Sequence, residues 1–233
     1  GKNVKLYMED SLLNPRFRED DSFDIVIFNP PWNGSGYGEE NLKKSAIANV
    51  FSKFGYPPNN SADWAWIELA LHFTNENGKV GIVIDNGCLF RGGREQVVRS
   101  KIVDKDWIET VILLPEKLFY NTGAPGAIII FNKNKPDERK GKILFINASE
   151  CYEKHPEIRK MNKLSKEGIK KIVEVYREWK EIPGFSRIVS LDEVRNNEYN
   201  LNVTLYVFPE VESEEINIKQ VWEELKKINR ELE

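Results

Sequence analysis

The residues best suited to chemistry in this chain are the consecutive Asn29, Pro30, Pro31 and Trp32. They directly follow the apolar run Ile25-Val-Ile-Phe28, which has the length and β-branched content of a central strand. Pro30 lies where such a strand must stop, and it favours an extended conformation for the residue before it. The pattern therefore predicts a stiff corner at the C-terminal end of a strand, where open α/β sheets place their binding sites.

A corner of this kind holds two acceptors, the side-chain oxygen of Asn29 and the carbonyl oxygen of Pro30, in fixed directions beside the ring of Trp32. The arrangement predicts a clamp for a planar amino group, with an aromatic platform next to it. Acceptors aimed at the N–H bonds of such a group favour a more pyramidal nitrogen and direct its lone pair at an electrophile. The alternative is a proline-stiffened loop whose Trp packs against the core.

The corner resembles the catalytic motif of amino-group methyltransferases that use S-adenosylmethionine, in which Asn-Pro-Pro-aromatic goes mostly with N6 of adenine. A base inside a duplex must be extruded to reach such a site, and an aromatic ring offsets part of the lost stacking. Stacking of this kind contributes about 1–3 kcal/mol per base. The resemblance therefore implies that Trp32 holds the base, while Asn29 and Pro30 orient its amine.

The composition is that of a globular protein, because hydrophobic residues make up 40% and charged residues 30% of the 233 residues. A formal net charge of −3 argues against a uniformly basic nucleic-acid binder but leaves room for a local basic face. The cysteines Cys88 and Cys151 have no CxxC spacing, and neither His72 nor His155 has a partner at ligand spacing. We therefore predict no metal site. No membrane-span or signal-peptide pattern is seen, so we predict a cytoplasmic location without membrane contact.

Alternating strand and helix patterns indicate an α/β fold, mostly parallel with an antiparallel end. Strands are predicted at 4–8, 25–28, 79–84, 108–114, 126–131 and 142–146. A helix capped by Ser61 is predicted to run as far as Gly78, and a second helix to cover 91–103. A long loop, with one possible helical turn over 42–51, separates the corner from the first of these helices.

The character of the chain changes near residue 150, which predicts a catalytic domain over 1–150 and a helical, charged extension over 151–233 for DNA or subunit contact. Residues 151–180 hold nine Lys/Arg against five Asp/Glu, a local charge of +4. Ser165 and Ser190 are predicted helix caps. An apolar stripe over 214–233 either packs on the protein's own core or docks on another subunit.

Five further segments, taken in order with the corner, resemble the methylation subunit of type I restriction-modification systems, a family of N6-adenine DNA methyltransferases. They are Asp10-Ser-Leu-Leu-Asn-Pro-Arg-Phe17, Asp63-Trp-Ala-Trp-Ile67, Asn86-Gly-Cys-Leu-Phe-Arg-Gly-Gly93, Leu114-Pro-Glu-Lys-Leu-Phe-Tyr-Asn-Thr-Gly123 and Glu198-Tyr-Asn-Leu-Asn202. The resemblance implies a partial Rossmann-like class I methyltransferase sheet with a helical tail. It also implies S-adenosylmethionine as the cofactor of the intact enzyme, double-stranded DNA as substrate, and specificity and restriction subunits as partners.

The resemblance assigns residue roles as well. It implies that Asn29 to Trp32 are catalytic, that Asp10 faces the adenine ring of the cofactor, and that Phe119 lies near the target base. Without the resemblance, Asp10 would be a turn or cap aspartate and Phe119 a core residue. Arg91 and Arg94 flank a Gly-Gly pair that a phosphate could approach, but a helix start with solvated arginines explains them equally well.

One departure limits the resemblance. The family's glycine-rich turn, which cradles the methionine end of the cofactor, has no counterpart here, because Gly34, Gly36 and Gly38 follow the proline corner instead of opening a strand-turn-helix unit. In the related methyltransferase fold, the first two strands lie between the strand that ends at Asp10 and the strand that ends at Asn29. We expect both of them to be missing here. We therefore expect a fragment that does not bind S-adenosylmethionine usefully by itself, is inactive alone, and leaves a strand edge open at 24–28.

Two other functions stay open at this stage. Protein glutamine-N5 methyltransferases also use Asn-Pro-Pro with an aromatic residue, and the clamp does not distinguish an adenine amine from a carboxamide. A non-catalytic assembly module, whose helical tail binds another subunit, is the third reading. The segments around Asp63, Arg91 and Tyr199 favour the DNA enzyme.

Overall fold

The structure is a computed structural model that describes residues 5–16, 22–208 and 222. The strands in these residues are β1 (Phe23–Phe28), β2 (Thr74–Asp85), β3 (Ile108–Leu113), β4 (Gly126–Asn132), β5 (Lys142–Asn147), β6 (Tyr152–Lys154), β7 (Asn162–Leu164) and β8 (Ser186–Ser190). Six of these described strands form one sheet in the order β1-β2-β4-β3-β5-β8. Strands β1, β2, β3 and β5 run in one direction, and β4 and β8 run in the other. The predicted mostly parallel α/β sheet with an antiparallel end is confirmed, except that one antiparallel strand, β4, lies inside the sheet between β2 and β3.

Helices cover both faces of this sheet. They are α1 (Glu39–Leu42), α2 (Ala48–Ser52), α3 (Asp63–His72), α4 (Arg94–Val103), α5 (Lys166–Glu178), α6 (Leu191–Asn196) and α7 (Val203–Tyr206). The main core lies between one sheet face and α3, α4, α6 and α7, while α5 packs its buried Val175 against the opposite face. Among the described helices, none is both long and apolar enough to span a bilayer.

Strand burial follows position in the sheet. All six residues of β3 are buried, because helices cover both of its faces, and its apolar residues accordingly do not alternate with exposed ones, although Glu109 and Thr110 are polar. Strand β1 was predicted as a central strand, but it pairs only with β2 among the described strands. Its Ile25 and Ile27 side chains are 67% and 78% exposed, whereas Val26 and Phe28 pack on the core. The open edge expected at 24–28 is therefore present.

The predicted strand over 4–8 is wrong for its described residues, because Lys5, Leu6, Tyr7 and Met8 form no strand and are exposed. An alternating pattern needs a neighbouring strand to pair with, and none lies beside this segment in the described residues. Asp10 therefore does not lie at the end of a strand.

The predicted helix from Ser61 to Gly78 is also wrong at both ends. Its first helical residue is Asp63, and its N-cap residue Ala62 makes no side-chain cap. The helix stops at His72, and β2 has already begun at Thr74, because Phe23 pairs with Thr74. Gly78 lies inside β2, where a Cβ would come within 2.9 Å of the carbonyl oxygen of Phe23. Gly78 thus permits close approach of two strands rather than ending a helix.

The chain beyond residue 150 extends the same sheet and core. Strand β8 pairs antiparallel with β5, and Val194 of α6 and Val203 of α7 join the main core. Ser165 and Ser190 cap α5 and α6 as predicted. The boundary at residue 150 therefore does not separate two cores in the described residues. The contact role of this region stays a prediction, and the stripe over 214–233 lies, apart from its Trp222, outside the described residues.

Two carboxyl groups are fully buried in this core with opposite surroundings. Glu109 on β3 accepts hydrogen bonds from Tyr176 (2.6 Å) and Asn132 (2.9 Å). Burial alone would raise the pKa of Glu109, but these bonds and the charges of Lys79 and Arg139 outweigh it and hold the pKa below its usual range. Neither carboxyl oxygen of Glu68 on α3 has a hydrogen-bond partner among the described residues, and burial raises its pKa well above the ordinary value.

Glu68→Leu is expected to stabilise the protein by about 1–3 kcal/mol at neutral pH, because it removes buried oxygens that have no partner. The folded-state pKa of Glu68 is raised, so its protonated form is stabilised at low pH, and this stability is lost as pH rises above the ordinary Glu pKa of about 4.3. The gain in the variant should therefore grow with rising pH. Urea unfolding across the range from about pH 4 to pH 8 measures it.

Glu109→Gln is the matched variant, and its expected effect has the opposite sign. The pKa of Glu109 is lowered in the folded state, so its stabilising effect is present above the ordinary Glu pKa and is lost as pH falls. The variant should lose about 1.5–3 kcal/mol at neutral pH. Equal pH profiles for the Glu68→Leu variant and the wild type would contradict the assignment of Glu68.

Candidate active site

The proline corner lies at one rim of a cleft of about 560 Å³. Because β1 and β2 are parallel, their C-terminal ends meet at the same edge of the sheet. The cleft is therefore lined by Asn29, which follows β1, and by Asp85, the last residue of β2. Residues 119–122 form the opposite rim. Asn29 is exposed to this cleft and does not turn into the protein interior.

The Trp32 indole and the Asn29 side chain hold each other in place. The indole N–H donates to Asn29 Oδ1 over 3.0 Å and to the Val83 carbonyl oxygen over 3.3 Å. The bond to β2 fixes the ring relative to the sheet, and the bond to Asn29 orients the amide oxygen. A carbonyl oxygen has two lone pairs, so Asn29 Oδ1 retains the capacity to accept from a bound amine.

Two aromatic rings meet across the cleft. Trp32 and Phe119 have centroids 4.5 Å apart and an interplanar angle of 66°, an edge-to-face contact. Phe119 forms an isolated antiparallel β-bridge with Thr122, which holds its backbone in place. The rings converge above Gly126, the first residue of β4, where a Cβ would come within 2.7 Å of Trp32 and 2.9 Å of Phe119. The absence of a side chain at Gly126 is therefore what allows both rings to occupy these positions.

Gly126→Ala is expected to displace at least one of the two rings and to reduce activity roughly 100-fold, because a shift of about 1 Å in a positioning group can have that effect. Tryptophan fluorescence reports the changed environment of the Trp32 ring, and a turnover assay reports the activity. Gly81→Ala in β2 is the matched control, since a Cβ there meets only an Ile27 side-chain carbon at 3.9 Å. Equal activity in the two variants would contradict the proposed role of Gly126.

A single guanidinium group joins the corner to the rest of the cleft. Arg91 follows the 3-10 helix Asn86–Leu89. Its guanidinium nitrogens lie close to side-chain oxygens of Glu95 (2.6 Å), Asp85 (2.8 Å), Asn33 (2.9 Å), Ser61 (3.2 Å) and Asp63 (3.9 Å). These partners come from the corner loop, the start of α3, the end of β2 and α4. Arg91 is thus neither a solvated arginine nor a free phosphate ligand.

The charges around Arg91 are buried to different degrees. Burial raises the pKa of Asp63, although Ser61 and the backbone N–H of Asn33 donate to its carboxylate. Burial alone would lower the pKa of Arg91, but Glu95 and Asp85 outweigh it and hold the pKa above its usual range. The guanidinium therefore stays charged, and its hydrogen bond to Asn33 ties the corner to α4. Arg94, in contrast, makes an exposed ion pair with Glu39 at 3.1 Å.

Comparison with known proteins identifies the family of this chain. A family model described as N-6 DNA Methylase matches residues 1–215. The chain belongs to the N-6 DNA methylase family. Its resemblance to methylation subunits of type I restriction-modification systems is also confirmed by the similar proteins.

Three similar proteins illustrate this relationship. The chain is 55% identical over 234 residues to the methylase subunit of the type I restriction enzyme MjaVII from Methanocaldococcus jannaschii, covering 99% of this chain and 40% of that protein. It is 35% identical over 202 residues to the MpnII methylase subunit from Mycoplasma pneumoniae, covering 86% of this chain and 36% of that protein. A crystal structure of a type I methyltransferase subunit from Streptococcus thermophilus matches with a TM-score of 0.76 and 31% identity, covering 85% of this chain and 41% of that one.

Asp10, the predicted cofactor residue, makes its hydrogen bonds within its own turn and to Tyr37. Asp10 Oδ1 accepts from the backbone N–H groups of Leu12 and Leu13, both over 3.0 Å. Its Oδ2 accepts from Tyr37 over 3.1 Å. Asp10 therefore caps its own turn and does not line the cleft at Asn29. Its contact with the cofactor stays a prediction.

Sequence reasoning missed two residues at this cleft: Asp85, which lines it, and Gly126, which lies next to the Trp32 and Phe119 rings. Gly126 opens a predicted strand, and a glycine in that position carries no signal until the two aromatic rings are known to converge on it. The Arg91 cluster had one usable signal, the spacing of four between Arg91 and Glu95, which places them on one helical face. Phe119 lines the cleft, but its contact with a base stays a prediction.

Proposed function

We propose that this chain supplies the methyl-acceptor side of the active site of an adenine-N6 DNA methyltransferase, as part of the methylation subunit of a type I restriction-modification system. The observation that carries the proposal is the fixed placement of Asn29 and Trp32 on one rim of the cleft, with Phe119 facing them. The chain spans about 40% of the length of the relatives it matches, so their whole activity comes to it only as part of this proposal.

The chain's own residues bind and orient the acceptor. An extruded adenine enters the cleft and stacks on the Trp32 and Phe119 rings, which offsets part of the stacking lost from the duplex. Asn29 Oδ1 and the Pro30 carbonyl oxygen accept hydrogen bonds from the exocyclic amine. These bonds localise the nitrogen lone pair and direct it away from the clamp. The family implies S-adenosylmethionine, which supplies an electrophilic methyl group when it is bound.

Partners follow from the same proposal. The similar proteins are named as methylase subunits of type I restriction enzymes, which supports a specificity subunit and a restriction subunit as partners and double-stranded DNA as substrate. The recognised DNA sequence would be set by the specificity subunit. The cytoplasmic location stays a prediction.

The test is a methyl-transfer assay with the assembled methyltransferase that contains this chain. The enzyme is incubated with unmodified duplex DNA and S-adenosylmethionine labelled in the methyl group, and the DNA is then digested to nucleosides. We expect the label in N6-methyladenine. Label in any other nucleoside, or no label in DNA that contains the recognition site, would contradict the proposal. The comparisons do not favour the alternative of protein glutamine methylation. A glutamine-containing peptide tests this alternative in a parallel assay.

A further inference from the structure

A second cleft of about 560 Å³ adjoins the candidate active site. The two clefts share residues 119–122, so the Phe119 loop forms the wall between them. Four basic side chains line the second cleft, and no acidic residue does: Lys117, Lys154, Arg159 and Lys160. This concentration of positive charge stands out in a chain whose formal net charge is −3.

Most of these cations have no partner among the described residues. Within the described residues, no ion pair or side-chain hydrogen bond engages Lys117, Arg159 or Lys160, and all three are exposed. Only Lys154 is engaged, because its ammonium group donates to Asn162 Oδ1 over 3.0 Å. Structural ion pairs do not explain the cluster, so its charge is available to an anionic partner.

The β6–β7 hairpin, which carries Lys154, Arg159 and Lys160, packs against the Phe119 loop that separates the two clefts. Asn162 is buried, its backbone N–H donates to the Lys117 carbonyl oxygen, and its side-chain NH₂ donates to the Glu116 carbonyl oxygen, both over 2.9 Å. At the tip of the hairpin, His155 Nδ1 accepts from the backbone N–H of Ile158 over 3.1 Å. The basic loop is thereby held at a defined position relative to Phe119.

The two faces of the hairpin differ in charge. Lys154 pairs with Asn162 across the strands, and Glu153 pairs with Lys163. Alternate residues of a strand point to opposite faces, so the Glu153–Lys163 ion pair of 2.8 Å lies on the face away from Lys154 and Asn162. The charge is neutralised on the face that carries the Glu153–Lys163 pair, so the uncompensated positive charge lies on the face that carries Lys154.

We propose that this basic cleft binds the phosphate backbone of double-stranded DNA next to the extruded adenine, with Arg159, Lys160 and Lys117 as the phosphate-contacting residues. This inference rests on the proposed function, because the shared Phe119 loop makes a strand on the cations continuous with a base in the active site. Exposed Tyr120 on the same loop, 80% accessible, provides an aromatic face where the two clefts meet. Positive charge interleaved with aromatic rings is the expected composition of such a surface.

The test compares two doubly substituted variants of the assembled methyltransferase. Arg159→Gln with Lys160→Gln removes two charges from the cleft. Lys163→Gln with Lys170→Gln removes two charges from the opposite hairpin face and from α5. Affinity for duplex DNA is measured by fluorescence anisotropy over a series of salt concentrations. We expect the cleft variant to bind roughly tenfold more weakly. We also expect the slope of log affinity against log salt to become shallower by about 2.

The matched variant should keep the wild-type affinity, the wild-type slope and the wild-type kcat at saturating DNA. Thermal unfolding should not change, because neither Arg159 nor Lys160 has a partner in the part of the chain that the structure describes. Equal losses in the two variants, an unchanged slope in the cleft variant, or loss of subunit association without loss of the slope would each overturn the proposal. If the cleft proposal fails in this way but the wild-type enzyme still transfers methyl groups to adenine, the proposed function is not contradicted. If the enzyme binds DNA through the cleft but transfers no methyl group, only the proposed function is contradicted.

Discussion

Asn29→Ala is expected to reduce methyl transfer by the assembled enzyme at least about 10²–10³-fold, the effect of removing one preorganised hydrogen-bonding group from an active site. Asn29 Oδ1 is one of two acceptors for the amine, and its loss leaves the lone pair of the nitrogen delocalised into the ring. DNA affinity should change little, because phosphate contacts supply most of it. Single-turnover methyl transfer and DNA binding by anisotropy measure the two quantities separately.

The control for this substitution is Asn134→Ala, which removes a carboxamide just beyond the far end of β4. Asn134 donates to Asn77 and takes no part in the cleft. We expect near-normal turnover and binding in this variant. Near-normal turnover in the Asn29→Ala enzyme as well would show that the carboxamide does not act on the amine. A loss of DNA affinity as large as the loss of turnover would instead indicate a collapsed cleft.

Local chemistry explains why the corner could be predicted from sequence. The direction of Asn29 depends on the two prolines that follow it and on the strand that precedes it, all within a few residues. Strand β3 could be predicted equally well, because most of its residues are apolar and do not alternate with polar ones, as expected for a strand covered on both faces. The caps at Ser165 and Ser190 are also contacts over three residues. In each case the cause lies within the segment that was being interpreted.

Errors arose where a distant segment decides the local structure. Residues 75–78 have the composition of a turn, but they form an irregular segment inside β2, because β1 pairs with Thr74 before them and with Lys79 after them. The segment at 5–8 alternates like a strand, but in the described residues it has nothing to pair with. Gly126 matters only because Trp32, far earlier in the chain, reaches over it. Each of these outcomes requires a contact that single-sequence patterns do not contain.

Arg91→Met is expected to have the largest effect on stability, because it leaves Asp85, Glu95 and Asp63 close together without their cation. Breaking a buried ion pair costs about 3–5 kcal/mol, and the lower end applies here because the Arg91 side chain is 36% exposed. The corner also loses its hydrogen bond from Arg91 to Asn33, so methyl transfer should fall together with stability. Urea unfolding measures the first effect and single-turnover kinetics the second.

The sign of the pH dependence separates this account from a general loss of packing. The charge of Arg91 is one of the factors that lower the pKa of the buried Asp63, so removing it raises the folded-state pKa of Asp63 further, and the stability that this carboxyl group costs grows as pH rises above its ordinary pKa. The destabilisation relative to wild type should therefore be larger at about pH 8 than at about pH 5. Arg94→Met, three residues away, removes only an exposed pair with Glu39 and should cost less than about 1 kcal/mol at either pH. A pH-independent loss in the Arg91 variant would mean that its methylene packing, and not its charge, holds the corner to α4.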